Sequence, residues 1–242
     1  MSNTPKTFLA YSGGKDSTAS VILCHEQGIH IDEIVFCEVM YDKQREISGE
    51  NPDHIRFLYE RAFPLFNEWG FPVRVLRSEE WDYLSLFHKK IEKSNYPDRV
   101  GQYRGFPMSL QNRCWCKRDL KTRLLENFYA EAKDAVTIVG ICADEPRRLD
   151  SLSRCPNKRS ILAEQGYTQA DTRRLCEAYD LVSPIYQYSN RGGCWFCPWV
   201  KREEWEVVPE YLRKELIALE EQTENISGAV WNPVRGPLRD LL

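Results

Sequence analysis

The apolar run Phe8-Leu9-Ala10-Tyr11 passes without a spacer into Ser12-Gly13-Gly14-Lys15-Asp16-Ser17-Thr18, and a helical run follows at once. Few local sequences leave the chain so little choice. The apolar run reads as a buried strand, and the two glycines let the backbone turn sharply with its N–H groups gathered toward an anion. The helix that follows adds the positive end of its dipole. Lys15 contributes a full charge, and the hydroxyls of Ser12, Ser17 and Thr18 contribute donors. The spacing is neither the G-x-x-x-x-G-K-S/T of a Walker loop nor the glycine pattern of a Rossmann turn, so both of those readings drop out.

Apolar runs recur along the chain, alternating with stretches of helical period, which is the pattern of a parallel sheet covered by helices on both faces. The expected fold class is therefore α/β, doubly wound. Strands are predicted at Thr7–Tyr11, Glu33–Val39, Pro72–Leu76 and Ala135–Ile141, with a weaker one at Leu181–Ile185, all apolar enough to be buried parallel strands. Helices are predicted over Ser17–Gln27, closed by Gly28, and over His54–Trp69, closed by Gly70, with a kink or break near Pro64. A basic, cysteine-bearing segment from Asn112 to Lys121 precedes a helical run toward Ala132, and Pro209 opens a further helix through Leu212, Leu216 and Leu219. The expected organisation is a nucleotide-binding domain over residues 1–190 and a C-terminal cysteine-bearing helical addition over 191–242.

Bulk composition sets outer limits. A chain of 242 residues with 42% hydrophobic and 29% charged residues can bury a proper core. A formal net charge of -3 gives no global basic field of the kind that coats nucleic acid. The residues Met1 to Lys6 carry no apolar signal region and no stretch is apolar for a membrane helix, so a cytoplasmic protein with no membrane partner is expected.

The nine cysteines are an odd number and, in a reducing compartment, a poor disulfide framework. Cys24 and Cys37 lie in apolar runs and read as core. Cys194 and Cys197 have the C-x2-C spacing that lets two thiolates grip one metal, and Cys114 with Cys116 offers a tighter pair; the cations Lys117, Arg118, Lys121 and Arg191 favour thiolates. Zinc and a four-iron four-sulfur cluster both accept four such ligands. Histidine adds little: His25 and His30 are one residue too far apart for the H-E-x-x-H zinc motif, and His54 and His88 read as solvated or core side chains. Basic residues from Arg113 to Arg123 and from Arg147 to Arg159 fit a phosphate or RNA path, but exposed helix faces produce the same pattern.

At Ser12–Ser17 the sequence resembles the PP-loop ATP pyrophosphatase superfamily, and within it the group that contains phosphoadenosine phosphosulfate (PAPS) reductase. Gly140-Ile141-Cys142-Ala143-Asp144-Glu145-Pro146-Arg147-Arg148 is similar to that group's G-I-R-A-D-E-S-x-R element, with Cys142 and Pro146 as departures. Arg113 to Lys121 resembles its R-W-C-x-x-x-L-K element, Thr168 to Cys176 its T-E-x-D-x-x-x-x-C stretch with Gln169 for Glu, and Gly193 to Pro198 its G-C-W-x-C-P element.

The resemblance implies a five-stranded parallel sheet with ATP or another adenine nucleotide across the carboxyl ends of its strands. Ser12, Gly13, Gly14, Lys15, Asp16, Ser17, Thr18, Gly140 and Arg147 are then the nucleotide-binding residues. Lys15 would hold the outer phosphates, Asp16 would hold Mg²⁺ or orient the loop, and Asp144 with Glu145 would reach metal or acceptor; the bland alternative for the last two is a helix N-terminus. Cys116, Cys194, Cys197 and Cys176 become the metal ligands, with Cys114 as the alternative fourth.

Three functions follow. The first is adenylation of an acceptor with release of pyrophosphate, the acceptor being a small molecule, a sulfur carrier or tRNA. The second is reduction of PAPS or adenosine phosphosulfate, which needs a cysteine nucleophile although none follows Cys197. The third is a non-catalytic nucleotide-binding zinc protein. A homodimer is the candidate oligomer.

Overall fold

The computed structural model describes residues 5–107, 114–132, 134–190, 192–222, 225–232 and 234–240. The chain divides into two compact units, each assembled from separated pieces of sequence: 1–37, 53–76 and 125–192 in the first, and 38–52, 77–124 and 193–242 in the second. The C-terminal segment is thus joined in its unit by two earlier stretches from within the span 1–190.

The first unit is built on five parallel strands, β1 (Thr7–Tyr11), β2 (Glu33–Cys37), β3 (Val73–Leu76), β4 (Val136–Val139) and β5 (Lys158–Arg159), in the order β3-β2-β1-β4-β5. The first four are the predicted strands with trimmed ends. The fifth is not at Leu181–Ile185. Pro184 cannot donate to a ladder and instead opens a short 3₁₀ turn, Pro184–Gln187, while the exposed pair Lys158–Arg159 forms the sheet's edge. Because β2 and β3 lie on one side of β1 and β4 and β5 on the other, the winding reverses between β1 and β4. That reversal opens a crevice at the strands' carboxyl ends.

Helix α1 (Lys15–Glu26) begins directly after Gly14, two residues earlier than its apolar pattern suggests, and is buried from Ser17 through Cys24. It packs against β1 and against the helix Gln169–Ala178, so it has no polar face to display, and Ile22, Leu23 and Cys24 share one core with Leu9, Ile34, Phe36 and Phe66. Each such fully buried aliphatic side chain contributes about 1.5–3 kcal/mol relative to exposure. The stripe from His54 to Trp69 is continuous but changes pitch: α-helical at Pro52–Phe57, π-helical at Leu58–Ala62, and α-helical again at Phe63–Glu68. Pro64 explains the wide turn. Its ring would strike the carbonyl four residues back in a regular helix, and the bond from the Phe63 N–H to the Leu58 carbonyl, one residue longer than usual, makes room.

The second unit has little regular sheet. Met40–Asp42 pairs antiparallel with Ile47–Ser48, and Tyr103–Gly105 pairs parallel with Ile226–Gly228. Its core is aromatic, with Tyr41, Tyr83, Phe87, Trp195, Phe196 and Trp231 buried together, and the predicted helix after Pro209 runs Glu210–Glu221 and buries Leu212, Leu216 and Leu219. Two indoles tie the cysteine segment down: Trp195 donates to the Ser48 carbonyl at 3.0 Å and Trp231 to the Phe196 carbonyl at 2.9 Å. Among the described residues no helix is long and apolar enough to cross a membrane.

Candidate functional site

The loop after β1 is folded by its own hydroxyls. Ser17 Oγ donates to the Gly14 carbonyl at 2.9 Å and receives the Ser12 N–H at 3.2 Å, while Gly13 adopts φ +76°, a conformation that favours glycine. Gly14 stands at the N-cap of α1 and gives no side-chain cap. Of the first-turn N–H groups, that of Lys15 is taken by the Tyr186 hydroxyl at 3.0 Å, while those of Asp16 and Ser17, which have no carbonyl partner inside any helix, face an external acceptor. Thr18, buried behind the loop, hydrogen-bonds through Oγ1 to the Tyr11 hydroxyl at 3.1 Å.

A cluster of charges lies beside these donors. Lys15 Nζ contacts Asp16 Oδ1 at 2.5 Å and donates to Thr172 Oγ1 at 3.4 Å; Thr172 Oγ1 in turn donates to Asp16 Oδ1 at 2.8 Å. The Cys142 thiol also donates to Asp16 Oδ1, at 3.3 Å. Burial, then the neighbouring Asp16 carboxylate, pushes Cys142 up to about 12, which keeps it a thiol and a donor. Ligand atoms of Asp16, Cys142 and Glu145 all lie within 4.8 Å of one another, a spacing at which they could share a cation. Of the three, the two carboxylates are the donors a hard cation such as Mg²⁺ takes.

The element after β4 is placed by packing as much as by charge. A Cβ at Gly140 would stand 2.6 Å from the Ser17 nitrogen, so only glycine lets β4 run this close to the start of α1. Glu145 receives the Cys142 N–H at 2.9 Å and forms a two-pronged ion pair with Arg148. Asp144 is exposed and receives the Gln169 N–H at 3.1 Å, so its visible duty is to cap the helix Gln169–Ala178 alongside Thr168. Arg147 is exposed on the first turn of the helix Pro146–Leu152.

The cysteines divide between the units. In the second unit the Cys116 thiol interacts with those of Cys114 and Cys194: the interaction with Cys114, and then that with Cys194, pushes Cys116 up, while its interaction with Cys116 brings Cys114 down to about 6. Cys114 also receives the Lys117 N–H at 3.5 Å. The C-x2-C segment is a tight turn in which the Cys197 N–H bonds the Cys194 carbonyl at 3.0 Å, and Glu50 bridges to Cys194 as an isolated antiparallel pair. Cys176 belongs to the first unit. It is buried in the helix Gln169–Ala178, its thiol donates to the Lys15 carbonyl at 3.2 Å, and burial pushes it up to about 12. The cysteine brought to Cys116 is therefore Cys114, the neighbour two residues away. Asn112, Arg113 and Arg191 lie outside the described residues.

No family profile matches the chain, and no curated protein matches it. Among solved structures, a PAPS reductase from Candida auris in complex with phosphate aligns with 80% of this chain and 83% of its own at a TM-score of 0.52 and 10% identity. The fold is that of the PP-loop proteins. The U34-tRNA thiolase NcsA from Methanococcus maripaludis with its 4Fe-4S cluster also aligns, over 99% of this chain and 72% of its own at 17% identity, with a TM-score of 0.45.

Around the PP-loop stand three side chains that sequence reasoning did not reach. The Tyr186 hydroxyl accepts the Lys15 N–H at 3.0 Å, Thr172 joins the Lys15–Asp16 pair, and the buried His54 ring lies under Gly13, where a Cβ would come within 2.7 Å of its Cε1. His54 is held through Nδ1 by Ser183 Oγ at 2.8 Å. All three reach the PP-loop from distant sequence. Only the steric demand for two glycines hinted that something large lay beneath.

Proposed function

We propose that this chain is an ATP-dependent adenylating enzyme. The observation that carries this reading is the glycine-capped N-terminus of α1 at the reversal of the sheet, with Lys15 and Asp16 as its first two residues. Loop amides and the Lys15 ammonium would take the β- and γ-phosphates, and Asp16 with Glu145 would hold Mg²⁺ against them. An acceptor oxygen then attacks the α-phosphorus, its bond to the bridging oxygen breaks, and pyrophosphate leaves with the electron pair. The adenylated acceptor is open to a nucleophile such as ammonia or sulfur, which displaces AMP. Positioning and neutralisation of charge supply most of the rate in such a site. The acceptor class stays among a small molecule, a sulfur carrier and tRNA.

The thiols of Cys114, Cys116, Cys194 and Cys197 would supply the donor set for a metal centre. Four soft sulfur donors from a C-x-C and a C-x2-C pair suit zinc, which would fasten the C-terminal segment, or an iron–sulfur cluster, which would supply redox or sulfur chemistry. Cys176 is left out of this set because its proton is engaged by the Lys15 carbonyl.

Reduction of PAPS or adenosine phosphosulfate is the second reading, favoured by the Candida auris neighbour. It requires a reactive thiolate near the sulfur, and the thiols of the PP-loop unit closest to the charges, Cys142 and Cys176, are held protonated by burial. Calorimetry with ATP, PAPS and adenosine phosphosulfate in Mg²⁺ buffer tests both. ATP is expected to bind and to lose affinity in Lys15→Ala; absence of ATP binding, or sulfite release from PAPS with a thiol donor, overturns the adenylating reading.

A further inference from the structure

The second unit contains a cavity of about 460 Å³ whose rim is cationic and whose walls are partly aromatic. Lys89, Lys90, Lys93 and Arg99 line it, and among the described residues none of the four is in an ion pair. Three of them rest against rings instead: Lys89 Nζ lies 4.1 Å from the Trp81 centroid, Lys90 Nζ 5.8 Å from that of Tyr103, and Arg99 Cζ 4.5 Å from that of Tyr96. Tyr96 is 51% exposed, so much of its side chain remains uncovered. Trp115 lines the same cavity at 6% exposure, and its indole N–H has no hydrogen-bond acceptor among the described residues. A buried donor of this kind is stabilised when an acceptor enters the cavity.

We infer that this cavity binds a phosphate-bearing nucleobase. Uncompensated cations spread along a rim match successive phosphates better than one. An uncovered tyrosine beside a guanidinium is the platform on which a base stacks, and the volume suits a single nucleotide within a strand or free in solution. The net negative charge of the whole chain makes the patch a local device, not a consequence of bulk charge. The inference concerns the second unit alone and does not depend on what the PP-loop binds.

The test is fluorescence anisotropy of the full-length protein with a labelled single-stranded RNA of about twelve nucleotides, with AMP and polyglutamate as competitors. Expected is binding that weakens steeply with salt, and an affinity at least about tenfold lower in Lys93→Glu, Arg99→Glu and Tyr96→Ala. Glu92→Lys, which removes the acidic residue lining the cavity, is expected to tighten binding, an outcome a folding defect could not produce. Competition by AMP at comparable concentration assigns the site to a free nucleotide, and its failure assigns it to a strand. Lys15→Ala should leave this binding intact. Absence of binding, indifference to the Lys93 and Arg99 reversals, or competition by polyglutamate together with an unaffected Tyr96→Ala overturns the inference.

Discussion

Gly140 and Ser17 are pressed together at the heart of the PP-loop unit: a Cβ on Gly140 would come within 2.6 Å of the Ser17 nitrogen and 2.8 Å of the Asp16 carbonyl carbon. The neighbours are backbone, so neither can swing aside. Gly140→Ala must push α1 away from β4, at a cost of about 1–3 kcal/mol for overpacking. Urea unfolding should register that loss, and calorimetry should show weaker ATP binding because the first-turn donors move. A variant with unaltered stability and affinity would show that β4 and the start of α1 can separate at no cost to the fold or to the donors.

The Lys15–Asp16 contact sets opposite expectations for its two partners. Lys15→Ala removes a charged donor worth about 1.5–3 kcal/mol, or roughly ten- to hundredfold in ATP affinity. Asp16→Asn releases the ammonium from its neighbour and removes a negative charge, so ATP without Mg²⁺ should bind more tightly than in the native protein while the enhancement by Mg²⁺ disappears. Titrations with and without EDTA separate the two effects. Equal weakening in both variants would argue that Asp16 positions the loop and does not meet the cation.

For the metal centre, Cys116→Ser and Cys194→Ser should lose the metal bound by anaerobically purified protein, and Cys176→Ser should retain it. Elemental analysis gives the identity, and an absorption band near ~400 nm marks iron–sulfur ligation. Loss of metal in a folded Cys176→Ser would return that residue to the ligand set.

Alkaline pH should destabilise the first unit in a particular window. Cys142 and Cys176 are raised from the ordinary 9.0 to about 12 by burial, so the folded chain keeps two protons that the unfolded chain releases. Their contribution is complete below pH 9.0 and is lost as pH climbs toward 12. Chemical unfolding measured across that range should fall less steeply in a Cys142→Ala, Cys176→Ala double variant.

Much of the first unit was legible because its signals are local. Phe8 to Tyr11 and Ile34 to Cys37 are apolar enough to be buried whatever lies around them, and the glycine-lysine turn declares its chemistry in seven residues. The errors came where a local pattern met a competing constraint or where no pattern existed. Leu181–Ile185 looked like a strand, but Pro184 takes it out of any ladder, and Lys158–Arg159 has no apolar residue to announce an edge. Tyr186 and Thr172 meet Lys15 across 171 and 157 residues of sequence, a separation at which periodicity says nothing. The interaction of Cys116 with Cys114 and the bond from the Cys176 thiol to the Lys15 carbonyl were equally hidden, since C-x-C spacing and a resemblance to a distant motif weigh alike.

The triangle of Lys15, Asp16 and Thr172 means that the loop carries its own internal counter-ion. A simple monovalent anion gains nothing by displacing it, because one ion pair is merely exchanged for another. On the adenylating reading an oligophosphate would reach the helix amides and the ammonium at once and would bring a divalent cation to satisfy the released carboxylate. Selection by valence would then sit in adjacent residues of a single turn, ahead of any group that recognises the adenine ring.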